Sequence, residues 1–318
     1  MSIEKLEVIL THSAKELGFL SIGSIPVSLM EKESKYLDSY LEHSYNGSME
    51  YMGRNREIRR NPSLLLPNAK SIIVVLAPYK PAIKQSIDKP GIASYAYGID
   101  YHYVVKERLK LLAGTLKEYE PNVKYRVFTD SAPIFERSMA VKAGLGFIGK
   151  NGFLISKEHG LHTFIGIIVI DLELKYKEES AQIDNLCGSC TRCLEACPTG
   201  ALIAPFKMDS RKCISYKTIE SKEQYNVSDK NEKRAGMIFG CDICMDACPW
   251  SRKGEVTNWE EFLPLTLENG SSLLDVSASF WLELDEKRFK REFKQSPLLR
   301  AGLEKIKKNV NNEMANKS

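Results

Sequence analysis

The sequence predicts an α+β protein in three parts: a mixed-sheet domain over residues 1–178, a ferredoxin-like, cysteine-rich domain over 179–255, and a helical segment over 256–318. Three observations carry this division. Strand-length apolar runs alternate with helix-period segments through the first half of the chain. All eight cysteines fall between Cys187 and Cys248. Near the end, Phe280, Trp281, Leu284, Phe289 and Phe293 form an apolar stripe beneath a basic face. A chain of 318 residues exceeds the usual single domain, and 43% hydrophobic content is ordinary for a protein with real cores.

Taken in order, residues 3–17 place apolar side chains at Ile3, Leu6, Ile9, Leu10 and Leu17, with Gly18 where a helix C′ residue sits, so they predict an amphipathic helix. A short strand follows over 19–25, and 30–66 is polar and helical in pieces, ending in the arginine-rich YMGRNREIRRNP. SIIVVLA (71–77) is an unbroken apolar run stopped by Pro78, which suits a strand buried on both faces. Residues 101–119 predict a helix, VKYRVF (123–128) a strand, and 134–143 a helix with Pro133 in its first turn. AGLGFIGKNG (143–152) follows a helix and not a strand, so it fails the context of a dinucleotide fingerprint. Two more strands are expected over 153–156 and 163–171.

The cysteines carry the chemistry. CGSCTRCLEACP (187–198) is C-x2-C-x2-C-x3-C-P, the spacing with which bacterial ferredoxins hold [4Fe–4S] clusters. Its fourth cysteine serves the other cluster in two-cluster proteins, because the three-residue gap and the proline turn it away from the first three. Cys213 followed by CDICMDACP (241–249) is the same motif with its first cysteine displaced upstream. Crossing both halves gives one cluster on Cys187, Cys190, Cys193 and Cys248 and another on Cys197, Cys213, Cys241 and Cys244. Structural zinc is an alternative, but zinc does not need the C-x3-C-P ends. A disulfide framework would need an oxidising compartment and usually a short secreted chain.

The net charge of +4 is unevenly placed. Residues 285–308 hold nine Lys/Arg against four acids, leaving this segment +5 and the remainder −1. Such a run tracks phosphates or forms a solvated helix face. The N-terminus lacks a basic start and an apolar core of signal-peptide type, and no apolar run is long enough to span a bilayer, so a cytoplasmic chain without membrane contact is expected. One-electron clusters in series form a wire, and a pure carrier needs only the cysteine-bearing span, so the large N-terminal domain argues for a reductase with a second redox centre. Spacing leaves that centre open among cobalamin, flavin and haem: the nearest match to a D-x-H-x-x-G cobalamin motif, Asp100 to Val105, lacks the glycine, and His102 is also readable as a structural histidine.

YMGRNREIRRNPSLLLPNAKSII (51–73), YAYGIDYH (95–102), TDSAPIFER (129–137), AGLGFIGKNGFLI (143–155), CISYKTIE (213–220) and both cysteine motifs resemble the epoxyqueuosine reductase family, in the same order along the chain. The chain departs from many members in keeping only the start of their C-terminal helical-repeat extension, SPLLRAGLEK (296–305), and in its segment 225–236. The resemblance implies that the first domain binds cobalamin with its lower base detached, that two [4Fe–4S] clusters feed it electrons, and that the partner is tRNA carrying epoxyqueuosine. It implies Asp130 as the catalytic proton donor, with a helix cap as that residue's structural alternative and His102 or Tyr101 as the next candidates. For the corrinoid it points to Arg54, Arg60, Lys150, Asn151, Gly152 and the backbone of Leu154, Ile155 and Ser156. Ser215, Tyr216 and Lys217 are expected between the cluster domain and the cofactor. An external one-electron donor such as flavodoxin or ferredoxin and a monomeric state complete the expectation. A corrinoid reductive dehalogenase and a non-catalytic iron–sulfur carrier are the alternative functions.

Overall fold

The computed structural model describes residues 3–175, 186–222 and 235–317. Along the chain these form α1 (Ile3–Glu16), β1 (Ser21–Pro26), α2 (Glu31–Glu42), α3 (Arg56–Arg60), β2 (Ser71–Pro78), β3 (Gly91–Ile92), α4 (Tyr101–Tyr119), β4 (Tyr125–Phe128), α5 (Glu136–Lys142), β5 (Phe147–Ile148), β6 (Leu154–Ile155) and β7 (Thr163–Ile170). Then come α6 (Arg192–Ala196), β8 (Leu202–Ala204), β9 (Lys207–Met208), α7 (Ile214–Ile219), β10 (Met237–Phe239), α8 (Ile243–Asp246), α9 (Ala278–Glu283), α10 (Glu286–Glu292) and α11 (Leu303–Lys317). The boundary expected at 178/179 and most of the departing segment 225–236 lie outside the described residues.

The central sheet has the order β1-β2-β7-β4 and is antiparallel throughout. Helix and sheet are mixed as the sequence predicts, and the parallel pairing in the molecule is the small β3–β10 ladder. Every residue of β2 is buried, and alternation sends its side chains into two cores. Ile73, Val75 and Ala77 of β2, with Ile168 and Ile170 of β7, pack under α1 and α4. Ile72, Val74 and Leu76, with Ile167 and Val169, pack under α5 and the irregular segment around Leu65 and Leu66. α4 seats closely on the sheet because Gly166 has no side chain; a Cβ there would lie 2.8 Å from a Val75 methyl and 2.9 Å from one of Leu109.

α1 ends as its sequence predicts, with Gly18 in the left-handed region (φ 83°) and its N–H on the Lys15 carbonyl. α5 starts later than predicted, at Glu136, because Ser131 to Phe135 forms an irregular loop in which the Ile134 N–H bonds to the Ala132 carbonyl. The C-terminal helices build a third core around Trp281, Phe289, Phe293, Leu298 and Ile306. Ile92, Ala96 and Tyr97 belong to that core, so the first half of the chain is threaded into the last.

The predicted apolar stripe is thus buried, but part of the basic face above it is paired with carboxylates, some of them from outside the segment. Arg288 pairs with Glu292 at 2.6 Å, Lys290 with Glu286 at 3.1 Å, and Arg291 with Glu268. The +5 of the linear segment therefore overstates the free positive charge. Trp281 is wholly buried, so Trp281→Ala should lower the unfolding free energy by about 3–5 kcal/mol in urea titrations followed by circular dichroism. An unchanged midpoint would mean that the C-terminal helices form no cooperative core.

Candidate functional site

All eight cysteines are free thiols. Cys187, Cys190, Cys193 and Cys248 stand around one cavity of ≈ 130 Å³, together with Lys150, Asn151, Ile155 and Trp250. Burial pushes the Cys193 thiol up, and the neighbouring Cys248 and Cys187 push it further; Cys248 is raised by burial and by Cys187 and Cys190. Cys197, Cys213, Cys241 and Cys244 form the other group. Burial pushes Cys241 up to about 12, and the charges of Cys213 and Cys197 add to it. Cys244 is raised by burial, then by Cys241, Cys213 and Cys197.

Burial raises Cys193, Cys213, Cys241, Cys244 and Cys248, whereas at Cys197 backbone N–H bonds overcome burial and lower the thiol. A positively charged iron–sulfur core fits this donor set, because it would hold the raised thiols as thiolates. Among the described residues no three Cys, His, Asp or Glu side chains converge closely enough to share a single metal ion. The thiols of the first group surround a space several times the volume of one water, which suits a polynuclear cluster better than mononuclear zinc.

The GKNG turn joins β5 to β6 as a tight hairpin, closed by the Gly149 N–H on the Phe153 carbonyl and the Gly152 N–H on the Gly149 carbonyl. Lys150 is buried, and its Nζ donates to the carbonyls of Gly188 (2.6 Å) and Cys190 (2.9 Å). Asn151 donates to the Cys244 carbonyl at 3.2 Å. These two side chains, expected on the corrinoid, are bonded to the two cysteine loops. Leu154 and Ile155 are buried in β6, and Ser156 is buried with its Oγ accepting the His159 N–H at 3.2 Å. Gly152 adopts φ 81° and its carbonyl accepts from Arg137.

Asp130 lies two residues past β4 in the left-handed region, with φ 48°. Its exposed carboxylate accepts from the Tyr101 hydroxyl at 2.5 Å, and its N–H donates to Glu136 Oε1 at 2.7 Å. It caps no helix: α5 begins at Glu136 without a side-chain cap. Six residues on, burial and then the Asp130 charge push the Glu136 carboxyl up to about 8. Burial and Asp130 likewise raise the Tyr101 hydroxyl well above its ordinary value. The Tyr101 ring lies flat on Phe164 (4.3 Å, 7°) and against His102 (4.2 Å). His102 Nδ1 pairs with Asp100 at 2.7 Å, so it reads as part of the cap of α4.

Arg54 and Arg60, expected on the corrinoid, each pair with a carboxylate. Arg54 meets Glu50 at 3.6 Å in solvent, and Arg60 meets Glu31 at 2.5 Å. One position earlier on α3, about 100° around the helix, Arg59 is half-buried, and Asp130, Glu136 and Tyr51 act on its charge. Its Nε is buried and has no acceptor. Arg300 reaches the same mouth, bonded to Glu220 at 2.6 Å with its guanidinium 6.0 Å from the Tyr51 ring. Tyr216 of α7 is buried and accepts the Ser48 N–H at 2.7 Å, tying the segment before Arg54 to the cysteine-rich part. Ser215 and Lys217 flank it on the same helix, where the Ser215 carbonyl accepts the Thr218 hydroxyl at 3.2 Å.

No helix among the described residues is long and apolar enough to cross a membrane. Residues 186–251 match the family model described as a 4Fe–4S double cluster binding domain, and residues 59–131 match that described as epoxyqueuosine reductase QueG, DUF1730. An epoxyqueuosine reductase of Cyclobacterium marinum is 40% identical over 97% of this chain and 97% of its own. The structure of an epoxyqueuosine reductase with an epoxyqueuosine-modified tRNA-Tyr stem loop has a TM-score of 0.87 at 26% identity, covering 99% of this chain and 82% of that one. A Bacillus subtilis epoxyqueuosine reductase, whose catalytic aspartate loop is swung out of its active site, has a TM-score of 0.84 at 26% identity, covering 99% and 82%. Sequence, double-cluster module and fold agree over nearly the whole length, and this chain belongs to the epoxyqueuosine reductase family.

Proposed function

We propose that this chain reduces epoxyqueuosine to queuosine in tRNA, with electrons entering through two [4Fe–4S] clusters and used by cobalamin beside Asp130. The observation that carries this is an open carboxylate, fixed from two sides, in the same molecule as two groups of four thiols. The first cluster takes Cys187, Cys190, Cys193 and Cys248, and the second takes Cys197, Cys213, Cys241 and Cys244. An external one-electron donor of flavodoxin or ferredoxin type supplies them, and the chain works as a cytoplasmic monomer.

The surroundings of Asp130 fit a large amphipathic ring: a flat Tyr101–Phe164 stack offers an apolar wall, and the orphaned Arg59 Nε offers a polar anchor. Gly152 and the backbone of Leu154, Ile155 and Ser156 are the proposed corrinoid contacts, with Tyr216 and its neighbours on the cluster side. Bound cobalamin, when reduced, would supply the electron pair as a cobalt nucleophile that reacts at carbon.

Converting an epoxide to an alkene also consumes two protons, and these fall to side chains. Asp130 donates the first to the epoxide oxygen as it becomes an alkoxide. Tyr101 aims the carboxyl through Oδ2, and Glu136 fixes the backbone at the same residue. Because Glu136 keeps its proton to about pH 8, it stands beside Asp130 as a neutral acid at neutral pH. The carboxyl pair is therefore set to supply acid twice where the substrate shuts out water.

Asp130→Asn should retain its iron and its affinity for cobalamin yet lose about 10²–10⁴ in turnover of epoxyqueuosine-modified RNA. Near-normal turnover would remove Asp130 from the reaction. Cys248→Ala should halve the iron content and spare the cluster on Cys241 and Cys244; a structure with Cys248 on the same cubane as those two would sink the crossed assignment.

Glu136 also predicts a pH dependence. Its folded value of about 8 lies above its ordinary 4.5, so the native chain binds more protons than the unfolded chain between them, and stability falls as pH rises through that window. Glu136→Gln should flatten this fall in urea midpoints taken across the window. An equally steep decline in the variant would assign the slope to another group.

A further inference from the structure

α3 and the turn before it carry four arginines within seven residues, and three of them are neutralised by carboxylates. Arg54 meets Glu50, Arg56 meets Asp38 at 3.1 Å, and Arg60 meets Glu31. Arg59 differs. Its Nε is sealed from solvent without an acceptor. A buried guanidinium N–H left unmet costs on the order of 1–3 kcal/mol or more, so such an arrangement persists where a ligand completes it. The carboxylates nearest in charge do not complete it: Asp130 accepts from Tyr101, and Glu136 accepts the Asp130 N–H and is neutral below about pH 8. Tyr51, 44% exposed, stands between Arg59 and Arg300 at the mouth of the site.

We infer that Arg59 is a phosphodiester receptor at the edge of the active site, its Nε and adjacent Nη forming a fork for two non-bridging oxygens. The inference rests on the function proposed above and extends it. The substrate's modified base is neutral or cationic in its reacting part, so an anion in this site comes from a phosphodiester. Two molecules bring one: the RNA strand on either side of the modified nucleotide, and the nucleotide tail of cobalamin. A planar bidentate donor suits either one, and its rigidity distinguishes it from a lysine.

The test uses the full, cluster-loaded chain under anaerobic conditions and two pairs of probes. One pair is an epoxyqueuosine-modified RNA stem-loop and the same RNA with a methylphosphonate beside the modified nucleotide. The other is cobalamin and cobinamide, which lacks the phosphodiester tail. Arg59→Gln should weaken binding by about 10- to 100-fold for one phosphodiester-bearing probe and leave the counterpart that lacks that phosphodiester charge unaffected. Loss confined to the all-phosphodiester RNA assigns the fork to the strand; loss confined to cobalamin assigns it to the tail. Equal losses for both members of each pair, or none at all, overturn the inference. If Arg59→Gln fails to assemble its clusters, Arg59→Lys is read in the same arms, where it should keep part of the affinity. Failure of wild-type protein to convert the modified RNA would refute the proposed function and leave the binding arms to decide on Arg59.

Discussion

A buried ammonium sets the distance between the cysteine loops and the sheet. Lys150 has lost its water and is repaid by two carbonyls of the first cysteine loop, while Asn151 beside it holds a carbonyl of the second. Both side chains project from the tight turn between β5 and β6, whose strands are pinned by close backbone approach; a Cβ at Gly146 would lie 2.3 Å from the Ile155 carbonyl. One rigid hairpin therefore fixes both loops at once. Asp242 adds a second tie, accepting the Ser94 N–H at 2.7 Å and its hydroxyl at 2.6 Å. An electron route depends on fixed separations, and here they are fixed by hydrogen bonds to main chain, which side-chain variation elsewhere does not disturb.

Asp130 illustrates a different constraint. A non-glycine residue at φ 48° sits in a sparsely populated region, one that aspartate tolerates better than most. It is held by one bond through its side chain and one through its backbone, each from a different element. Tyr101 is available because Asp100 and His102 cap α4, and Glu136 because α5 starts late. The irregular loop that delays α5 is thus what brings a second carboxyl next to the first.

The periodicities of the sequence made the sheet and its covering helices legible, because β2, β7, α1 and α4 follow burial patterns set by local geometry. The cysteine spacing likewise announced the cluster module, since thiolate ligation tolerates little variation in loop length. What periodicity does not encode is which way a polar side chain turns. Arg59 and Arg60 are neighbours in a basic run, and only the packing of α3 against the Asp130 loop distinguishes them. The same holds for Lys150, whose partners lie 38 and 40 residues away in sequence. Glu136 lay inside a helix predicted to start two residues early, and nothing in its local sequence marks it as a neighbour of Asp130. The net charge of residues 285–308 misled because Glu268 and Glu220, which neutralise part of it, lie outside the segment.

The threading of residues 92–97 into the C-terminal core sets an order of events in biosynthesis. The sheet can close once β7 has emerged from the ribosome, but β3 has no partner until β10 is made, some 145 residues later in the chain, and their shared core waits for Trp281 and Ile306. Contacts of such separation form late. The core that joins residues 92–97 to the C-terminal helices, and with it the packing on β10 just before Cys241, is therefore the last part of the molecule to form.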